Sequence, residues 1–172
     1  MPAQSNSAIA IRAAAVTDAA QICEIYNHYI ATSTITFEET PVATSEMQIR
    51  IRDVQGIPLP WLVAVDGERV VGYAYAQKWK VRAAYKFSVE VTIYVRPCLE
   101  RSGVGSQLYR HLFETLKSYG VHAVIGGVAL PNEASLKLHQ KFGFEKVAHF
   151  KEVGFKFGRW VDVTYWQIIL NP

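Results

Sequence analysis

The sequence predicts an α/β (α+β) fold, a single domain with a mixed central β-sheet of about seven strands and helices on both faces. Three observations lead to this prediction. The chain has 172 residues, which is enough for one sizeable core and short for two. Half of its residues are hydrophobic. These apolar residues recur with a period of two in some segments and near 3.6 in others.

The first half of the chain predicts one strand, two helices and a hairpin. Thr17 and Asp18 supply capping chemistry for the first helix, and Thr44 or Ser45 does so for the second. Asp66-Gly67 favours a tight hairpin turn because glycine tolerates a positive φ. The predicted segments cover residues 8–14, 18–30, 45–55, 61–65 and 70–77.

The second half predicts the order strand, helix, strand, helix and two strands. Residues 87–95 alternate strictly, and their second face is unusually polar for a central strand, with Ser88, Glu90, Thr92 and Tyr94. The best-defined amphipathic helix covers residues 103–119 and ends at Gly120. The remaining segments are 121–130, 132–142, 144–153 and 160–170.

Composition excludes several classes of protein. A net charge of +3 with interspersed signs gives no basic run that would indicate nucleic-acid binding. No leader pattern and no apolar run of bilayer length is visible, so we expect a cytoplasmic protein without membrane contact. Cys23 and Cys98 lack metal-ligand spacing, and no metal is expected. We expect residues 1–7 to be a flexible terminus and 8–172 to be the domain.

A glycine-containing loop precedes the predicted amphipathic helix. Gly103 and Gly105 lie between a strand and the helix start, where free N–H groups and the positive helix dipole favour an anion. The same pattern also makes a simple tight connection. The loop lacks the Gly-Lys-Ser/Thr ending of a P-loop, and Leu108 stands where a dinucleotide fingerprint needs its third small residue.

Three polar residues share one side of the next helix. Asn132, Ser135 and His139 have the spacing i, i+3 and i+7, which is typical of a ligand-facing stripe. An ordinary interpretation is equally available from the residues. Asn132 would be an N-cap, Ser135 would support the first turn, and His139 would be a solvated or satisfied histidine.

Taken together and in order, these segments resemble the GNAT acetyltransferase superfamily. The strand 89–95, the Arg-Ser-Gly-Val-Gly loop and the run 132–144, Asn-x-Ala-Ser-x-x-Leu-His-x-x-Phe-Gly-Phe, are similar to its core motifs. Further segments resemble the phosphinothricin and methionine sulfoximine N-acetyltransferase branch, namely 26–29, Phe37-Glu38, 79–82, Tyr85, Glu90 and 154–162. The resemblance covers nearly the whole chain.

The resemblance implies acetyl-CoA as co-substrate, bound where the central strands splay apart. Backbone groups of Ile93, Tyr94 and Val95 would pair with the pantetheine arm, and Asn132 and Ser135 would lie beside it. Lys141 would reach the nucleotide phosphates. The pyrophosphate would lie on Arg101, Ser102, Gly103, Val104, Gly105 and Ser106. Glu100 stands where the family usually has Gln or Arg, and we expect it outside the site because a carboxylate repels a pyrophosphate.

The resemblance also assigns the chemistry. Glu90 would deprotonate the amine of a small amino acid, although a carboxylate there could simply anchor an ammonium. His139 occupies the position where many relatives have a tyrosine acid. The residues expected to bind the substrate are Phe37, Glu38, Lys80, Arg82, Ala83, Ala84, Tyr85 and Glu90. The branch implies a homodimer. Two alternatives stay open, an enzyme acting on another amine and a module that binds acetyl-CoA without turnover.

Overall fold

The computed structural model describes residues 9–170, and the predicted flexible terminus 1–7 lies outside the described residues. One seven-stranded sheet has the order β1-β2-β3-β4-β5-β7-β6. Among residues 9–170, only β4 and β5 pair in parallel, so the sheet is mixed as predicted. The strands are β1 Ala10–Ala13, β2 Trp61–Asp66, β3 Arg69–Lys78, β4 Ser88–Val95, β5 Ala123–Ala129, β6 Glu145–Lys156 and β7 Arg159–Ile169.

In the described part of the chain, four α-helices cover the two faces of the sheet, which confirms the predicted architecture. Helices α1 and α2 pack on one face through residues such as Ile22, Ile25 and Met47. Helix α3 packs on the other face through its leucines and Tyr109, and the partly buried residues of α4 join that core. The helices are α1 Ala19–Thr32, α2 Thr44–Gly56, α3 Val104–Ser118 and α4 Glu133–Lys141.

The element order agrees with the sequence prediction, but two helix caps do not. The Asp18 carboxylate makes no capping bond to α1. It accepts from the Arg12 guanidinium at 2.7 Å and from the Ala15 N–H at 2.7 Å, which ties β1 to the helix entry. Helix α2 already begins at Thr44, and its N-cap is Ala43, which has no side-chain acceptor. The Asp18 carboxylate therefore caps the 3-10 turn Val16–Asp18 that precedes α1, and α2 begins without a side-chain cap.

The two central strands separate within the sheet, and this separation positions the site. β4 pairs with β5 over three positions only, and the last pair is Glu90 with Ile125. Beyond it β4 stays paired with β3 as far as Val95, while β5 stays paired with β7 as far as Ala129. The far ends of β4 and β5 are therefore held by different neighbours, and a cleft opens between them.

Candidate active site

The cleft between β4 and β5 has a volume of about 590 Å³. Its walls come from the diverging strands, the loop before α3 and the inner side of α4. Twelve of the predicted site residues line it, on three elements that are distant in sequence. They are Glu90, Ile93, Tyr94, Val95, Arg101, Gly103, Gly105, Ser106, Asn132, Ser135 and His139, joined by Lys141 at one end.

The glycine loop forms one end of the cleft. Gly103 has φ +86°, a conformation that favours glycine, and it is the N-cap residue of α3. The first N–H groups of a helix have no intrahelical acceptor, so this end of the cleft favours an anion. Two residues of this loop that the sequence analysis assigned to the pyrophosphate do not line the cleft. The Ser102 hydroxyl donates to the Leu99 carbonyl at 2.6 Å, and the Val104 side chain is fully buried in the core.

A positive and a negative side chain flank this loop. The Lys141 ammonium donates to the Ser106 hydroxyl at 2.9 Å, which holds a cation beside the helix start. Glu100 also lines the cleft, although the sequence analysis expected it outside the site. It is exposed, so its charge is solvated there. An anion at this end of the cleft would be held mainly by backbone N–H groups and by Lys141.

The β4 side of the cleft presents a strand edge without a strand partner beyond Glu90. Ile93, Tyr94 and Val95 lie on this stretch and line the cleft. The Val95 carbonyl accepts a 2.6 Å hydrogen bond from the Tyr29 hydroxyl, and Tyr29 itself lines the cleft. Burial raises the pKa of Tyr29 to about 12, so this phenol stays a hydrogen-bond donor. Sequence reasoning placed Tyr29 in a family motif but did not identify this role.

On α4 the ordinary interpretation of the polar stripe describes the local bonding correctly. Asn132 Oδ1 accepts from the Ser135 N–H at 3.1 Å, as an N-cap does. His139 is 2% exposed, and its Nδ1 lies 2.7 Å from the Ser135 carbonyl. Burial lowers the pKa of His139, partly offset by that carbonyl. The three residues nevertheless line the cleft, so the two interpretations are compatible.

Glu90 and His139 reach the cleft from opposite faces of the sheet. A Cβ on Gly126 would collide with His139 Nε2, and a Cβ on Gly127 would lie 3.4 Å from Glu90 Oε1. Successive residues of a strand face opposite sides, so each glycine makes room for one of the two groups. Burial raises the pKa of Glu90. The Gln77 amide at 3.4 Å and the charge of Lys80 lower this pKa and partly offset the effect of burial. A glycine pair inside a predicted strand was the available signal for this close approach.

The predicted substrate residues divide among three places. Lys80 and Tyr85 line a second cavity of about 460 Å³ on the Glu90 face, whose walls include Trp79, Phe150 and Tyr165. The Tyr165 ring also faces Gly127 beside Glu90, which links the two cavities. Sequence reasoning missed Phe150 and Tyr165 because strands β6 and β7 bring them here from the end of the chain.

Five other predicted substrate residues lie outside these two cavities. Arg82, Ala83 and Ala84 are exposed around a short 3-10 turn. The Phe37 ring covers Gly154 of β6. Glu38 is bound by the Arg50 guanidinium at 2.6 Å and by the Tyr26 hydroxyl at 3.1 Å. Its carboxylate is therefore already engaged within the fold and does not reach the cleft.

The sequence pattern of the acetyltransferase (GNAT) domain matches residues 11–165. The chain belongs to the GNAT acetyltransferase family. It is 40% identical over 161 residues to phosphinothricin N-acetyltransferase of Streptomyces viridochromogenes, covering 92% of this chain and 86% of the relative. It is 37% identical over 165 residues to the L-methionine sulfoximine/L-methionine sulfone acetyltransferase of Pseudomonas aeruginosa, covering 94% and 95%.

The fold agrees with that of solved GNAT acetyltransferases. The phosphinothricin acetyltransferase of Sinorhizobium meliloti, solved in complex with acetyl-CoA, superposes with a TM-score of 0.91 at 35% identity. The match covers 95% of this chain and 89% of that one. Within residues 9–170, no helix has the length and apolar character needed to cross a membrane.

The contact between Gly126 and His139 leads to a stability prediction. Gly126→Ala places a methyl group against His139 Nε2 in a buried site. We expect the free energy of unfolding to fall by about 1–3 kcal/mol because the imidazole must move within a packed core. Urea unfolding followed by circular dichroism measures this change.

Gly56→Ala is the matched control, because nothing lies within 4 Å of the added methyl group. Gly56 ends α2, and alanine there should leave the stability equal or raise it by up to about 1 kcal/mol. Equal stabilities of the Gly126 and Gly56 variants would show that His139 does not occupy the space above Gly126.

Proposed function

We propose that the protein is an acetyl-CoA-dependent N-acetyltransferase that acetylates the α-amine of a small amino acid or analogue. The observation that carries this proposal is the splayed cleft, with a backbone anion site at one end and the half-buried carboxylate of Glu90 near the point where β4 and β5 part. The relatives named above, which act on phosphinothricin and on methionine sulfoximine or sulfone, support the substrate class.

The residues of the cleft fit acetyl-CoA as co-substrate. The α3 N-terminus and Lys141 would hold its phosphates, and the free edge of β4 at residues 93–95 would hold its amide-containing arm. Asn132 and Ser135 would lie beside that arm on the α4 side. When bound, acetyl-CoA supplies a thioester carbonyl for the amine to attack. Side chains of this chain would carry out the proton transfers.

Glu90 is our proposed general base. The α-amine of an amino acid is mostly protonated near neutral pH and must lose a proton before it can attack. Because burial raises the pKa of Glu90, its carboxylate is a better proton acceptor than an exposed glutamate. Gly127 leaves the space beside Oε1 open, so an ammonium or a water molecule can approach the carboxylate from the cleft.

Glu90→Gln tests this role. We expect kcat to fall by about 10²- to 10⁴-fold, the usual contribution of a general base, while the Kd for CoA stays within about twofold. The wild-type rate should rise with pH through the raised pKa of Glu90, since only the ionised carboxylate accepts a proton. That limb should be absent from the pH–rate profile of the variant.

Glu114→Gln is the control for this experiment, because Glu114 is exposed on α3 and lies outside the cleft. Its rate and pH profile should match the wild type. An acidic limb that persists unchanged in Glu90→Gln would remove the base role from Glu90.

The second cavity is our proposed place for the side chain of the substrate. Its walls are aromatic and carry Lys80 at 4.7 Å from the Trp79 ring, so they suit an apolar or sulfur-containing chain with a polar tip. We expect CoA thiol release with methionine sulfoximine, methionine sulfone or phosphinothricin. Release with peptides or polyamines, and none across the amino-acid panel, would overturn the proposed substrate class.

We further propose that the protein is a homodimer and acts in the cytoplasm, where acetyl-CoA is available. Strand β6 is an edge strand of the sheet. An outer hydrophobic surface lies on β6, β7 and the turn between them, and its large apolar side chains are more than half exposed. An exposed apolar patch of this kind favours a protein partner. The outer hydrophobic surface consists of Val153, Phe155, Phe157 and Trp160.

Sedimentation velocity tests the dimer. We expect the wild type to sediment at twice the chain mass, and Trp160→Lys to shift it toward the monomer because Trp160 is 62% exposed within the outer hydrophobic surface. Ile49→Lys is the control, since Ile49 is exposed on α2, away from this surface. A monomeric wild type would refute the homodimer.

A further inference from the structure

His139 is buried between three elements. Its ring contacts Tyr109 of α3 and Phe144 at the start of β6, with centroid distances of 5.6 Å and 4.8 Å. Gly126 of β5 lies under Nε2. Tyr109 and His139 are fully or almost fully buried, with 0% and 2% exposure, yet both lie on the wall of the cleft.

The hydrogen bonds of the ring determine where its proton lies. Nδ1 is 2.7 Å from the Ser135 carbonyl, which can only accept, so Nδ1 carries the hydrogen. In the neutral ring Nε2 is then a bare acceptor. The Tyr109 hydroxyl, 3.2 Å from Nε2, is therefore the donor in that contact.

We propose that Tyr109 is a positioning residue for His139, donating to Nε2 and so holding the imidazole neutral, protonated at Nδ1 and oriented over Gly126. Tyr109 can act in this way because burial raises its own pKa far above the working pH and keeps its proton on the oxygen. The assignment of the protons is independent of the proposed function, and its consequence for the reaction rests on that function.

No charged side chain among the described residues contributes to the pKa of His139 or has a hydrogen bond with its ring. Burial lowers this pKa and the Ser135 carbonyl raises it, and the titratable group in contact with the ring is Tyr109. The elements packed against the ring contribute Ser135 from α4, Phe144 from the start of β6 and Gly126 from β5. The hydrogen bond from Tyr109 to Nε2 can therefore be removed by a single substitution, Tyr109→Phe.

This arrangement changes the role expected for His139 in acetyl transfer. A general acid must hold a proton at the nitrogen that faces the reaction, but in the resting site Nε2 carries no proton and accepts a hydrogen bond from the Tyr109 hydroxyl. His139 can take up a proton at Nε2 if the Tyr109 hydroxyl turns its oxygen toward the new N–H. It does not start the reaction as a donor to the departing thiolate.

Nitrogen-15 NMR of the free wild-type protein tests the assignment directly. We expect the neutral imidazole protonated at Nδ1 at pH 7. In Tyr109→Phe we expect the same tautomer, but protonation at a higher pH, because the donor that stabilised the neutral ring is lost. We also expect kcat to fall by about 2- to 10-fold, the effect of one neutral hydrogen bond, at unchanged KM for acetyl-CoA.

Two further samples keep the test decisive. Ser135→Ala removes a hydroxyl 3.3 Å from Nδ1 but keeps the carbonyl, so the tautomer and titration of His139 should match the wild type. A fluorotyrosine at position 109 alone keeps the shape of the ring and is a stronger donor, so His139 should titrate at lower pH than in the wild type. This sample replaces the phenylalanine variant if that variant does not fold.

The proposal is overturned if wild-type His139 is cationic at pH 7 or protonated at Nε2. It is also overturned if the titration of His139 is the same in the wild type and in the folded position 109 variants. An inactive wild type with these NMR results would count against the proposed function and leave the role of Tyr109 intact.

Discussion

The structure of the site depends on the separation of β4 from β5 after the pair Glu90–Ile125. Each strand is held by a different neighbour beyond this point, β4 by β3 and β5 by β7. The backbone groups that β4 loses from the ladder must be satisfied in another way, and a ligand with amide groups is suited to do so. A sheet paired along its full length would contain neither this edge nor the cleft.

The glycine pair of β5 leaves the space through which two ionisable side chains approach the cleft. Gly126 admits His139 from the face covered by α3 and α4, and Gly127 leaves room for Glu90 and Tyr165 on the other face. Glu90 and His139 therefore both line the cleft, although strand β5 lies between them. Burial favours the neutral form of both, since it raises the pKa of Glu90 and lowers that of His139. Each group is therefore closer to its neutral form than an exposed glutamate or histidine would be at the same pH.

Much of the fold was predictable because the relevant signals are local. The alternation in β4, the leucines of α3 and the Asp66-Gly67 turn each act through neighbouring residues, and the structure contains all three elements in the expected order. The partners of the acidic side chains were less predictable. Asp18 binds Arg12, and Glu38, expected beside the substrate, binds Arg50. In both cases an acidic side chain is engaged by an arginine whose position only the folded chain determines.

The sequence by itself determined the family, the order of the elements and the glycine loop before α3, because spacing along one chain governs each of these. Tertiary structure decided how the candidate residues are distributed between the cleft, the second cavity and the surface. It also brought Tyr109 to His139 and Tyr165 to the side of Glu90, contacts between residues 30 and 75 positions apart in the numbering. No periodicity reports such pairs, since they arise from the packing of one element on another.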